Sequence, residues 1–272
     1  MENKKKKSKS KTLSNKTTVA ILTTSLICAL MCVAVIKVLN WTSGYKIDSR
    51  VERMKEYQLK HDDLEVSGWL KVQGTNIDYP ILKNGDEIRY NDKSIQYLWE
   101  NGNMDKVNRI NFVMGHNIMN LSSNPMITNP DHVRFEQLLS FAHYDFAKDN
   151  QYVQFTVDGK DYLFKIFSIS FPESSSSSSL NGELYTDEDV KGVSQRAIND
   201  SIFDYDVDVN EKDNLITLVT CTRMFGNKSR NFQVMARQVR SGESTGLSKV
   251  TKNDNYKVIE KRMKGAEVTD EA

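Results

Sequence analysis

Asn214–Arg240 reads NLITLVTCTRMFGNKSRNFQVMARQVR, and its pattern decides the class of the fold. Leu215, Thr217, Val219 and Cys221 fall on one face of a period-two alternation, and Ile216, Leu218 and Thr220 fall on the other. Both faces are largely apolar or β-branched, the pattern of a strand covered on two sides. Gly226-Asn227-Lys228-Ser229 then signals a turn. A second strand follows over Asn231–Val239, led by Arg230. Such a hairpin carries one thiol and one guanidinium to the same end of a sheet. A lone cysteine is about as often a small buried hydrophobe as a reactive group, so the rest of the chain must decide between the two.

The 272-residue chain is 39% hydrophobic and 27% charged, enough for one sizeable core with appendages. Its net charge of +1 averages two unlike parts. Eight of the 37 basic residues and one of the 36 acidic residues lie in residues 1–40, which leaves 29 against 35, or about −6, for the remainder. That remainder lacks the basic footprint of a nucleic-acid binder. Residues 1–16 hold seven lysines, and Val19–Leu39 is a 21-residue apolar run broken only by small hydroxyls and by Lys37. As a helix that run would rise about 30 Å, the thickness of a bilayer core. Lys37 can snorkel, and Trp41 and Tyr45 fall where interfacial aromatics sit.

The basic flank therefore predicts a cytoplasmic N-terminus, an uncleaved single-pass anchor in the lipid of the cell membrane, and an exported C-terminal domain. A cleaved leader would have a shorter apolar region, and Cys32-Val33-Ala34 comes nearest to a cleavage site. With Cys28 and Cys32 in the span, Cys221 is the exported domain's one thiol and has no internal disulfide partner. An exported thiol of that kind is a candidate nucleophile.

The divisions expected are a basic tail over 1–17, the anchor over 18–39, a juxtamembrane helical linker over 40–65, a catalytic domain over 66–241, and a charged, flexible tail over 242–272. Glu65–Leu82 reads as short strands around a Gly74 turn, with further strands over Lys93–Trp99 and Arg109–Met114. Phe135–Phe146 carries apolar residues at helical spacing, and Asp187–Ile202 does the same. Asp158-Gly159 joins two strands, Tyr152–Thr156 and Tyr162–Ser170, as a hairpin. Ser174–Ser179 is a run of serines, a solvated loop by composition. Many short strands with two inserted helices predict a small, mostly-β barrel with helical decoration.

Among the four histidines, His116 stands out because Gly115-His116-Asn117 ends a mostly apolar strand and can project over a sheet rim. His61, His132 and His143 lie in a charged linker, a Pro-Asp loop and the second half of a helix, where surface histidines are common. Cysteine with histidine is the minimum for thiol acyl transfer, the imidazole moving the proton that the thiol must lose. An arginine beside them can stabilise the oxyanion formed when a carbonyl is attacked. Cys221, His116 and Arg230 would fill these roles, with Arg223 a rival to Arg230.

Four stretches in this order, GWLKVQGTNIDYPIL, FVMGHN, ITLVTC and an Arg opening the strand after the cysteine, resemble the sortases. These are membrane-anchored cysteine transpeptidases of Gram-positive surfaces. The helix Asp187–Ile202, lying between the serine run and the Cys221 strand, resembles class B most. The resemblance implies a closed barrel of about eight strands, with Cys221 as nucleophile, His116 as general acid/base, Arg230 at the oxyanion, and Thr220 near the substrate. It also implies exported proteins with an LPxTG- or NPxTG-like C-terminal sorting signal as substrates and a peptidoglycan precursor amine as acceptor, with no cofactor and no metal. Met114 stands where the family usually has Tyr, and Ser94–Leu98 lacks an acid that relatives often carry, Glu100 being the nearest. Rival readings are a pilin-polymerising sortase, another cell-wall thiol transpeptidase, and an anchored binding module whose Cys221 is structural.

Overall fold

The computed structural model describes residues 15–42, 44–83, 98–100, 105–117, 135–173, 185–222, 224–225 and 230–264. The chain divides into two units, Met1–Gly44 and Tyr45–Ala272. In the first, helix α1 runs Asn15–Thr42. Its Thr23 and Thr24 hydroxyls donate to carbonyls one turn back, at 2.8–3.0 Å, so neither polar group is left unsatisfied in an apolar run. The side chains described within α1 are those of residues 19–33 and 35. Among the described residues no helix is long and apolar enough to cross a membrane.

In the second unit, helix α2 (Val51–Lys60) precedes strands β1 (Val66–Val72), β2 (Asp78–Leu82), β3 (Leu98–Glu100) and β4 (Ile110–Met114). A 3-10 helix (Glu136–Ala142) and helix α3 (Tyr144–Asp149) lead to β5 (Tyr152–Val157) and β6 (Lys160–Ser170). Helix α4 (Asp187–Asp200) is followed by β7 (Phe203–Tyr205), β8 (Leu215–Thr222), β9 (Arg230–Gln238), β10 (Val250–Lys252) and helix α5 (Asp254–Met263).

The main sheet curls through the order β4-β8-β9-β6-β5-β1-β2, and β3 links its ends. That link is thin: β3 pairs with β2 over two residues and with β4 over two. The β1–β2 connection turns at Gly74, whose φ of +76 suits glycine. Asp158 and Gly159 take φ of 50 and 66, the left-handed pair that a tight hairpin needs.

The alternation in β8 is resolved by two separate apolar layers. Ile216 and Leu218 join the interior core with Phe232, Val234 and Ala236. Leu215 joins Val190, Val193 and Ala197 of α4 with Met235 and Phe167, outside the sheet. Helix α4 starts on a capping box in which Thr186 and Asp189 satisfy each other's backbone amides. Apolar spacing predicts one helix over Phe135–Phe146, but the chain breaks at His143, whose φ −89 and ψ 122 are extended. The first half is a 3-10 turn with all seven residues buried, too enclosed for a helix with one wet face.

Residues 242–264 correct the expectation of a flexible tail, and 265–272 lie outside the described residues. β10 pairs with β7, and α5 buries Tyr256 and Ile259. Before them the Tyr152 hydroxyl donates to the Gly246 carbonyl at 2.6 Å, and the Tyr45 amide to that of Thr245 at 2.9 Å. Glu243 accepts two hydrogen bonds at 2.6 Å from Arg237, which is 3% exposed. Few apolar residues suffice here because Val250, Tyr256 and Ile259 all join the domain's main core, Tyr256 against Phe203. The segment from Tyr45 is likewise fastened: Arg50 forks onto Asp78 at 2.9–3.0 Å.

Candidate active site

The site grows from one register. Strand β4 runs parallel to β8, pairing Ile110 with Leu215 through Met114 with Val219. Past Met114 the chain keeps following β8: the Gly115 amide donates to the Val219 carbonyl at 3.2 Å. Thr220 Oγ1 donates to the Gly115 carbonyl at 2.7 Å, and Asn117 Nδ2 donates to the Cys221 carbonyl at 2.8 Å. His116 therefore comes alongside Cys221, on chains whose usual spacing is about 4.8 Å.

Cys221 is exposed between buried Thr220 and Thr222, as the alternation at a strand end demands. His116 is half-buried, and its carbonyl accepts from the Phe135 amide at 3.3 Å. Gly115 permits the close passage beneath: a Cβ there would lie 2.6 Å from Phe135 Cγ and 2.8 Å from Leu98 Cδ2.

Arg230 opens β9, paired across the ladder with Thr222, while Cys221 faces Asn231. Its Nη1 donates to the Phe171 carbonyl at 3.3 Å, and its Cζ lies 4.8 Å from the Phe225 ring centroid. Its Nε is buried and has no hydrogen-bond partner among the described residues. A groove of about 480 Å³ ends on Arg230, with Phe171, Phe225, Asp200 and Asn255 among its walls. Cys221, His116 and Arg230 thus stand near the ends of three adjacent strands on one rim of the sheet, with Arg230 one cross-strand pair from the cysteine.

Thr220, expected near substrate, is 2% exposed and commits its hydroxyl to Gly115; it clamps β8 to the chain that carries His116. Arg223, His132 and the serine run lie outside the described residues. His61 stacks on Tyr57 at 4.3 Å, and His143 is buried. Among the described residues no group of three His, Cys, Asp or Glu side chains could hold a metal ion. Sequence reasoning misses Asn117 as a site residue. Its signal is its place directly after His116, which carries weight only once the register is known.

No protein-family model matches the chain. Staphylococcus aureus sortase B is 20% identical over 185 residues, 65% of this chain and 71% of that protein. A mutant form of Clostridium perfringens sortase B is 26% identical, covers 70% of this chain and 87% of its own, and superposes with a TM-score of 0.56. In sequence and fold the chain resembles the class B sortases. A sortase B complexed with triglycine also shares the fold, at 18% identity and a TM-score of 0.54, covering 71% of this chain and 88% of its own. This likeness marks the chain as a cysteine transpeptidase with a mostly-β fold, and Cys221 is the one cysteine in the sequence of the Tyr45–Ala272 unit.

Proposed function

We propose that this sortase cleaves the C-terminal sorting signal of exported proteins, of LPxTG or NPxTG type, and joins the new carboxyl end to a peptidoglycan precursor amine. Cys221 passes its proton to His116 and attacks the threonine carbonyl, forming a C–S bond as the carbonyl becomes an oxyanion. Arg230 faces that charge with a planar fork of donors. The tetrahedral species collapses by breaking the C–N bond, and His116 gives the departing glycine amine its proton. An incoming amine then attacks the thioester, His116 takes its proton, and the sulfur leaves to restore Cys221. The triglycine bound to a related sortase B supports an amine acceptor of this kind.

The observation that carries the reading is the β4–β8 register, which sets His116 alongside Cys221 with Arg230 one cross-strand pair away. We also propose that the apolar run Val19–Leu39, of which the structure describes the side chains of residues 19–33 and 35, anchors the enzyme as a single-pass span, with the lysine-rich end inside the cell and the domain outside. The exposed Leu22, Leu26, Leu30 and Met31 of α1 suit lipid, and the hydroxyls of Thr23 and Thr24 are satisfied within the helix.

The test is incubation of the full chain in detergent with a panel of sorting peptides, with mass detection of an acyl adduct on Cys221 and of product with an added amine. Cys221→Ala should form neither, and His116→Ala should be nearly inert. Arg230→Lys keeps the charge without the fork and should fold normally, yet turn over about 100- to 1,000-fold more slowly. A folded wild-type chain that forms no adduct with any peptide would overturn the reading.

A further inference from the structure

We propose that Arg262, on the C-terminal helix α5, is a positioning residue for Arg230, so that α5 belongs to the active site; this rests on Arg230 acting at the substrate carbonyl. The connecting group is Phe225. Its ring carries both guanidinium groups, with Arg230 Cζ and Arg262 Cζ each 4.8 Å from the centroid. The ring is also seated edge-on against Phe171, at 5.3 Å between centroids. Phe171 in turn supplies the carbonyl that holds Arg230 Nη1. A second observation is independent of the stacking: Asn255, Val258 and Ile259 of α5 line the same groove as Arg230.

Helix α5 is itself firmly placed. Asn253 caps it by accepting from the Tyr256 amide at 3.3 Å and ties back to the Ser201 carbonyl at 2.8 Å. Tyr256 and Ile259 anchor its inner face.

A donor that stabilises an oxyanion works only when it is held within a few tenths of an ångström of its place. Among the described residues Arg230 is secured by one 3.3 Å hydrogen bond and one ring, and its Nε has no hydrogen-bond partner. The ring is therefore one of the two supports among the described residues, and a ring held by Arg262 from a fixed helix is a stiffer support than a ring on a turn alone. The attraction between a cation and an aromatic face strengthens out of water. Arg262 also adds positive potential beside the charge that develops on the substrate oxygen.

The experiment uses the full chain in detergent and four measurements: kcat, KM, the rate of Cys221 alkylation by iodoacetamide, and the thermal melt. Arg262→Ala should lower kcat by about 3- to 30-fold while KM, alkylation and melt stay near parent values. Arg262→Lys should recover part of the loss. In an Arg230→Lys background, Arg262→Ala should have little further effect, because it acts through the guanidinium already removed. If Arg262→Ala melts early, Arg262→Met, which keeps bulk without charge, carries the same expectation. A parent-like kcat in a folded Arg262→Met or Arg262→Ala enzyme overturns the inference, as does an additive loss in the double variant. A normal rate for Arg230→Lys overturns the role of Arg230 and this inference with it. A slow Arg230→Lys with normal Arg262 variants overturns this inference alone.

Discussion

Gly115→Ala adds one methyl group directly beneath the candidate site. The new carbon would sit 2.6 Å from Phe135 Cγ and 2.8 Å from Leu98 Cδ2. Carbon atoms rest at about 3.5–4.0 Å, so the overlap is about 1 Å. Phe135 and Leu98 are both fully buried and cannot swing into solvent to relieve it. Overpacking of this kind costs about 1–3 kcal/mol. At roughly 2–4 °C per kcal/mol for a domain of this size, the melt should fall by about 2–12 °C.

Activity should suffer more than stability. The strand end is the softer partner, and it carries both the carbonyl that holds Thr220 and the backbone of His116. A displacement of about 1 Å between imidazole and sulfur can cost about 100-fold in rate. The assay is peptide cleavage with a parallel thermal melt on the detergent-purified full chain. A melt within about 1 °C of the parent together with a rate within about twofold would refute the close packing on which the site depends.

Other expectations follow from the same geometry. Truncation after Ser244 should sharply lower the melt, because it removes buried Val250, Tyr256 and Ile259, each worth about 1.5–3 kcal/mol of burial; a truncated chain with parent-like stability would show that these contacts are idle. Thr220→Val keeps the shape but leaves the Gly115 carbonyl without its 2.7 Å donor, so about 1–3 kcal/mol should be lost in chemical denaturation. Burial alone would raise the Asp78 carboxyl, but hydrogen bonds from Arg50 and Trp69 outweigh it and hold the group below its usual range. A folded-state value lower than the unfolded one gives stability that is present above about pH 4 and lost as pH falls through the folded value. Asp78→Asn should therefore be less stable at neutral pH and show a shallower decline in acid. For the anchor, protease added to intact, wall-stripped cells should digest the domain and spare the lysine-rich end; protection of the domain would contradict the proposed orientation.

What the sequence discloses depends on how local the cause is. β8 is legible because two-sided burial leaves a period-two apolar run, and the β5–β6 turn because Asp158-Gly159 needs no neighbour to take its left-handed shape. His116 and Cys221 can be nominated from strand ends and from motifs resembling a family, yet their adjacency follows from a pairing between distant segments. Residues 242–264 mislead because the density of apolar residues is a poor guide to burial there. Val250, Tyr256 and Ile259 are sparse among charges, and only β7 and the core around Phe203 give them somewhere to go. The break at His143 escapes for the same reason: helical spacing does not reveal that both sides of a segment are enclosed. The Phe225 ring shared by Arg230 and Arg262 joins a turn to a helix far along the chain, and no spacing rule points to it.

The pairing of β4 with β8 joins residues 105 positions apart, as Ile110 to Leu215 and so onward. Contacts this remote in sequence form late and slowly as a chain folds. Until that ladder closes, the thiol at 221 has no imidazole beside it, although the local β8–β9 hairpin already sets Arg230 one pair away. With the roles proposed above for Cys221 and His116, acylation would require that long-range contact, and thiol reactivity toward a sorting peptide would then report its formation.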